Sequence, residues 1–315
     1  MHRKSFLKSI SLAAVAVSSS GFIRFDGKKY VGDCETTSDI IGPFYRPDSP
    51  VRNNLVVPGE PGTLVELSGV IRHNDCVTPY KNAKVELWHC ANNGLYDNDT
   101  SEFRYRGTTF TDDEGNYLFN TILPVPYNAA GGPYRPAHFH LMITAEEYMP
   151  LITQLYFIND PYLTSDPYSN SPNAKKRILE VQTGADGKKK VTYNVSMAET
   201  LIVEAASLDK LAGFYVNPDD KTVTCTFFAH DKRLWYNLVF GQKVDPYGRV
   251  LNYSGNNKFT APWLPDGMVH SFDFKIMSDG SIKCTEHFAN GSGKDICKYI
   301  DEAKDVKGKK RLFHS

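Results

Sequence analysis

The sequence contains no C-x-x-C pair: its six cysteines, Cys34, Cys76, Cys90, Cys225, Cys284 and Cys297, are scattered. Zinc and iron–sulfur sites therefore have no spacing to rest on. No excess of charge of either sign is present, since Lys+Arg and Asp+Glu both number 36. No stretch concentrates basic residues on the scale that a phosphate backbone needs, so nucleic acid is not an expected partner. Long apolar runs are also missing. The run from Ile10 to Val17 is too short to span a bilayer, so no stable membrane anchor is expected.

What the chain does have is aromatic and turn-forming material: 18 Tyr, 18 Phe, 18 Pro and 23 Gly in 315 residues. Aromatic side chains pack well on pleated surfaces, and Gly and Pro punctuate short strands, so a mainly β protein is expected. The first twenty residues differ from the rest. His2-Arg3-Lys4 precedes the apolar run, and Ser18-Ser19-Ser20 follows it, which is the order of an export signal. Arg3-Lys4-Ser5-Phe6-Leu7-Lys8 also resembles a twin-arginine signal with Lys in place of the second Arg. An exported protein, periplasmic or extracellular, is expected. Removing residues 1–20 would take away three basic residues and no acid, leaving a net charge of −3. In an oxidising compartment some of the six cysteines could pair.

From Leu64 the sequence runs as short alternating segments separated by Asn/Asp/Gly turns: Val65 to Ile71, Ala83 to His89, Phe103 to Phe110, Asn116 to Leu123, His138 to Thr144 and Leu151 to Phe157. This spacing predicts an antiparallel β-sandwich. Ile178 to Val195 reads as a hairpin around Asp186-Gly187, and Met197 to Leu211 as a closing helix. After Gly213 a second β-rich texture begins. The expected organisation is an export signal over 1–20, a sandwich over 30–212, a smaller β-rich domain over 213–303 and a charged, solvated tail over 304–315.

Arg135-Pro136-Ala137-His138-Phe139-His140 is the most informative stretch. Side chains two apart on a strand share a face, so His138 and His140 aim at one point, a ready chelate for a metal. The surroundings resemble the intradiol ring-cleavage dioxygenase family from Ile41 to Lys210. Gly42-Pro43-Phe44-Tyr45 is similar to its opening, and Ala83-x-Val85-Glu86-Leu87-Trp88, continuing to Gly94-x-Tyr96, to its next block. Gly115-x-Tyr117-x-Phe119-x-Thr121-Ile122-x-Pro124-x-x-Tyr127, Arg135 to His140, and Leu151 to Phe157 with Gln154 complete five ordered blocks.

The resemblance implies a ferric cofactor, Fe(3+), held by Tyr96, Tyr127, His138 and His140. The donor chemistry suits it, because a hard trivalent cation lowers a phenol's pKa and stabilises the phenolate. The chain departs from the family pattern at Pro124-Val125-Pro126, which leaves Tyr134 as an alternative second tyrosine. The resemblance further implies a small aromatic diol and O2 as reactants, with Arg135 and Gln154 as catalytic residues. Gly42, Pro43 and Tyr45 would form a substrate-binding loop over the mouth. No lone Arg or Lys announces a carboxylate-bearing substrate. Any homo-oligomer would use a surface other than the N-terminal helical segment of many catechol-cleaving members. A competing expectation is a non-enzymatic, secreted prealbumin-like module, whose sandwich blocks are similar but which lacks the Tyr/Tyr/His/His set.

Overall fold

The computed structural model describes Ala16–Ser18, Gly21–Phe25, Tyr30–Gly32 and residues 36–298, except 129–131, 147, 202, 220–223, 238, 241–242, 245–247, 262, 265–268 and 289–290. Most of the expected export signal and all of the expected charged tail lie outside the described residues. Among the described residues, no helix is long and apolar enough to cross a membrane.

The sandwich is built as the alternation requires. One sheet has the strand order Ile178–Leu179, Leu151–Phe157, His138–Thr144, Lys84–Trp88, Arg106–Phe110. The facing sheet is centred on Leu64–Arg72, with Asn116–Ile122 on one side and Lys189–Thr192 and Val195–Ser196 on the other. Leu64–Arg72 alternates buried and half-buried positions along its length, the period-2 signature of a strand with one face on a core. Leu67, Ile71, Val85, Leu87, Phe119 and Phe139 fill the space between the sheets.

Four expectations change in detail. The sandwich is not wholly antiparallel: Ile178–Leu179 pairs parallel with Tyr156–Phe157, and Lys189–Thr192 and Val195–Ser196 run parallel to Leu64–Arg72. The hairpin around Asp186-Gly187 is accordingly confined to Gln182–Thr183 against Lys189–Lys190. The strand expected from Phe103 begins only at Arg106, because Phe103 and Tyr105 take positive φ values of 52° and 54°, which no strand accommodates. The closing helix covers only Ala205–Leu211. Met197 donates its N–H to the Arg72 carbonyl at 3.0 Å, and Ala198 accepts from Met149 at 2.9 Å. These tertiary bonds hold the chain extended where propensity alone would allow helix.

From Gly213–Val216 to Gly293–Lys298 the chain forms a nine-stranded antiparallel sheet. Its two outermost strands, Arg249–Val250 and Asn252–Gly255, are separated in sequence by Leu251 alone. The sheet therefore curls until its edges meet, and Phe227, Phe259, Phe272 and Phe274 are buried in it.

His138–Thr144 and Leu151–Phe157 are buried on both faces almost throughout. Phe139, Leu141 and Ile143 face the sandwich core. On the opposite face, register sets His138 beside Tyr156, His140 between Trp88 and Gln154, and Met142 beside Ile152. Met142, Ile152 and Trp88 share one apolar cluster with the nine-stranded sheet. That second face positions the site.

Candidate metal centre

Strand alternation brings His138 and His140 onto one face, and the structure turns their rings together: the two Nε2 atoms are 3.1 Å apart. His138 Nδ1 lies 2.7 Å from the Pro136 carbonyl. That contact assigns the proton to Nδ1 and leaves Nε2 with its lone pair, the form in which imidazole ligates a metal. Burial pushes both imidazoles well below the usual histidine range, with the Arg135 charge acting on His138, and on His140 the neighbouring His138 and then Arg135, in the same direction. Both rings are therefore neutral donors.

Two tyrosines from other segments close on the pair. Tyr127, from the short Tyr127–Asn128 strand, places its hydroxyl 3.5 Å from His138 Nε2. Tyr96 packs edge-on to Tyr127 at 5.4 Å between ring centroids and to His140 at 6.0 Å. The Tyr96 hydroxyl is buried without a hydrogen-bond partner, as is His140 Nδ1. Burial raises the Tyr96 phenol well above its usual value, and Tyr127 adds to the rise. Burial raises the Tyr127 phenol too, while Arg135 pulls it down. Leaving a buried hydroxyl unpaired costs free energy of about 1–3 kcal/mol. A hard cation accepting two imidazole nitrogens and two phenolate oxygens would remove that cost for Tyr96, so the residues present fit a ferric ion. Among the described residues, no three His, Cys, Asp or Glu side chains cluster as a metal site, and the oxygen donors next to the histidines are phenols.

Tyr134 is placed elsewhere. In the hairpin Tyr127 pairs with Arg135 and Asn128 with Tyr134, and the Tyr134 ring, 49% exposed, stacks on Tyr162 at 5.0 Å. It is Tyr127 that stands beside His138.

Two glycines let backbone approach the four side chains. Gly42 has φ +72°, and a Cβ there would come within 3.1 Å of His140 Cε1. Gly94 has φ +79°, and a Cβ there would meet Tyr127 Cβ at 3.0 Å. Both the left-handed backbone and the lack of room favour glycine. The loop after Gly42 divides its residues. Pro43 is exposed. Phe44 stacks on Tyr96 at 4.4 Å, a contact sequence reasoning missed. Tyr45 is buried and turns away, edge-on to Trp88 at 5.1 Å. Of the two adjacent rings, it is Phe44 and not Tyr45 that meets a tyrosine of the centre.

Arg135 and Gln154 come together. Arg135 Nε donates to Asp166 Oδ2 at 2.8 Å and Nη2 to Gln154 Oε1 at 3.0 Å. Burial works against the guanidinium charge, but Asp166, Tyr156 and Tyr127 together offset it, and the net effect is to raise its pKa. Gln154 donates Nε2 to the Ile40 carbonyl at 2.7 Å, and its Oε1, which accepts from Arg135, lies 3.1 Å from the Tyr156 oxygen. Tyr156 donates in turn to Asp39 Oδ2 at 2.8 Å, and Asp39 pairs with buried Arg177. Both ends of the Gln154 amide are thus engaged within the protein. Of this network, Tyr156 carried a signal in sequence, being two residues from Gln154 and so on its face. Asp39, Asp166 and Arg177 carried none.

A third buried histidine supplies a contrast. His89 Nδ1 meets the Cys90 carbonyl at 2.8 Å and Nε2 the Thr121 hydroxyl at 2.7 Å, and burial pushes its pKa down to about 4. With both nitrogens satisfied, it is a core residue. Cys76 is disulfide-bonded, while Cys90, Cys225, Cys284 and Cys297 are free thiols.

A family model described as dioxygenase matches residues 40–199, a span that contains all four tyrosine and histidine side chains of the centre. The chain is 37% identical over 151 residues to a catechol 1,2-dioxygenase of Candida albicans, covering 42% of this chain and 50% of that one. To a chlorocatechol 1,2-dioxygenase of Rhodococcus opacus it is 36% identical over 157 residues, covering 42% and 61%. The chain therefore spans about half to three fifths of the curated relatives it matches. Among solved structures it is similar to the dioxygenase domain of a dioxygenase carbohydrate-binding protein fusion from Streptomyces sp. SirexAA-E. That match has 28% identity and a TM-score of 0.45, over 53% of this chain and 99% of that one.

Proposed function

The chain belongs to the intradiol ring-cleavage dioxygenase family, and from that premise we propose that it is a non-haem Fe(III) enzyme opening a catechol-type ring with O2. Cleavage falls between the two hydroxylated carbons and gives a muconate-type diacid. The observation that carries this reading is the pair of histidine Nε2 atoms 3.1 Å apart, with the Tyr127 hydroxyl beside them and the partnerless Tyr96 hydroxyl buried against them.

His138, His140, Tyr96 and Tyr127 hold the ion. When bound, it supplies Lewis acidity and a template for both oxygens of the diol. The protein's own groups do the rest. Tyr127 would be the ligand able to take up a proton from an arriving diol, because burial keeps its phenol above the usual pKa despite the Arg135 charge beside it. Arg135 is oriented by Asp166, Gln154 and Tyr156, so its charge is fixed in place before negative charge develops on the ring. Gln154 acts through Arg135, a reading supported by its hydrogen bonds to Arg135 and to the Ile40 carbonyl. Phe44 covers Tyr96 and keeps water from that side.

The test is product analysis under labelled O2 with catechol, a carboxylated catechol and hydroxyquinol. One of them yields a muconate-type diacid carrying both oxygen atoms. A yellow semialdehyde, the extradiol product, would refute the assignment.

Two readings of the sequence stand beside this one as proposals. The protein is exported, its mature N-terminus falling near Ser18 to Ser20; an intact Met1 in natively expressed protein, seen by mass spectrometry, would exclude that. The chain divides near residue 213; a protease nick there should leave two fragments that co-elute, held by the apolar cluster they share.

A further inference from the structure

Two rigid contacts bracket the His140 imidazole. The Trp88 indole lies parallel to it, 4.9 Å between centroids and 7° between planes. From another direction comes the Gly42 backbone, close enough that a Cβ would sit 3.1 Å from His140 Cε1. Neither contact is anchored within the sandwich alone. Ile41, the residue before Gly42, donates its N–H to the carbonyl of Trp263 at 3.0 Å, and Trp263, fully buried, belongs to the C-terminal chain. Trp88 is met edge-on by Tyr45 at 5.1 Å, and the guanidinium of Arg249, on an edge strand of the nine-stranded sheet, lies 5.9 Å from the Tyr45 ring centroid.

Tyr45 therefore sits where the two halves of the molecule meet. Glu86 comes from the sandwich and Arg249 from the C-terminal sheet, both buried. Ile41, Tyr45 and Trp88 lie in the same apolar cluster as Val250 and Trp263. At 5.9 Å the cation–π attraction is near the limit of its range, and the buried guanidinium also occupies space over Tyr45.

We propose that the C-terminal sheet is part of the metal centre's scaffold: Arg249 and Trp263 are positioning residues that fix the His140 ring, one through Tyr45 and Trp88, the other through Ile41 and Gly42. The inference rests on the reading of His140 as an iron ligand. A sheet appended for some separate purpose would have no reason to end on the residues that clamp a ligand. Residues that orient a ligating histidine from behind tune its metal affinity without touching the metal.

The experiment uses the full-length ferric protein, with Arg249→Ala, Trp263→Phe and, as a control on the same sheet, Lys283→Ala. Iron transfer to an excess of chelator is followed in the resting protein without substrate, together with the position of the tyrosinate-to-iron absorption band. The expectation is release accelerated about ten-fold in Arg249→Ala, less in Trp263→Phe and not at all in Lys283→Ala, with a shifted band in the first two. Folded Arg249→Ala and Trp263→Phe proteins that release iron at the unaltered rate, with an unmoved band, would overturn the proposal. Where Arg249→Ala does not fold, Trp263→Phe decides by the same criterion. Unaltered protein that takes up no iron removes the ligand reading itself; unaltered protein that holds iron beside two unresponsive variants removes only this inference.

Discussion

The His138–Thr144 strand is buried on both faces, and the two faces are buried for opposite reasons. Phe139, Leu141 and Ile143 are fully inaccessible among apolar partners, and each apolar area removed from water favours the folded chain. His138 and His140 are as inaccessible, yet burial there sets two imidazole nitrogens against each other and shuts in a phenol with no partner. Equal burial thus stabilises on one side and is a cost on the other, held in place by the rest of the fold. Burial alone does not reveal which residues a protein keeps for stability and which for chemistry; the state of each polar atom does.

The contrast can be tested from both sides. Phe139→Ala should cost about 3–5 kcal/mol of stability in denaturant unfolding, while refolded protein still binds one iron per chain; loss of iron without loss of stability would contradict the division of labour. Arg135→Ala should lower kcat with the active substrate by about 100- to 1000-fold and leave iron content near unity by metal analysis, since its charge matters once charge develops on the ring. Tyr127→Phe should keep more iron than His138→Ala or His140→Ala, with its visible absorption displaced because one of two phenolates is gone. The smallest effect is the sharpest: His140→Met should raise the stability of the iron-free protein by about 1 kcal/mol in urea unfolding, because an apolar chain of similar size replaces a ring whose Nδ1 is buried without a partner. A fall in stability there would mean that the polar face is not under strain.

The ligand face was legible in sequence because a strand's period of two is local: His138-x-His140 fixes two donors on one side whatever surrounds them. Tyr96 and Tyr127 needed the ordered blocks around them. Tyr45 was assigned a substrate-facing position because it closes a recognised block, yet adjacent residues in a loop point in different directions, and Phe44 is the one on Tyr96. The support of Arg135 was not legible. Asp39 and Arg177 are 138 residues apart in the chain, and no periodicity links positions whose contact exists only after the sheets have formed. The truncated helix has the same cause, since the bonds of Met197 and Ala198 to distant carbonyl and amide groups outweigh local preference.

The curl of the nine-stranded sheet has a consequence for how this protein behaves among copies of itself. A sheet normally ends in two rows of unsatisfied amides and carbonyls, onto which another polypeptide can add as an extra strand. Here the terminal strands are Arg249–Val250 and Asn252–Gly255, two and four residues long, on either side of one leucine. Both vulnerable borders are short and fall at a single seam, so nine strands of aromatic-rich sequence offer hardly any template for fibril growth.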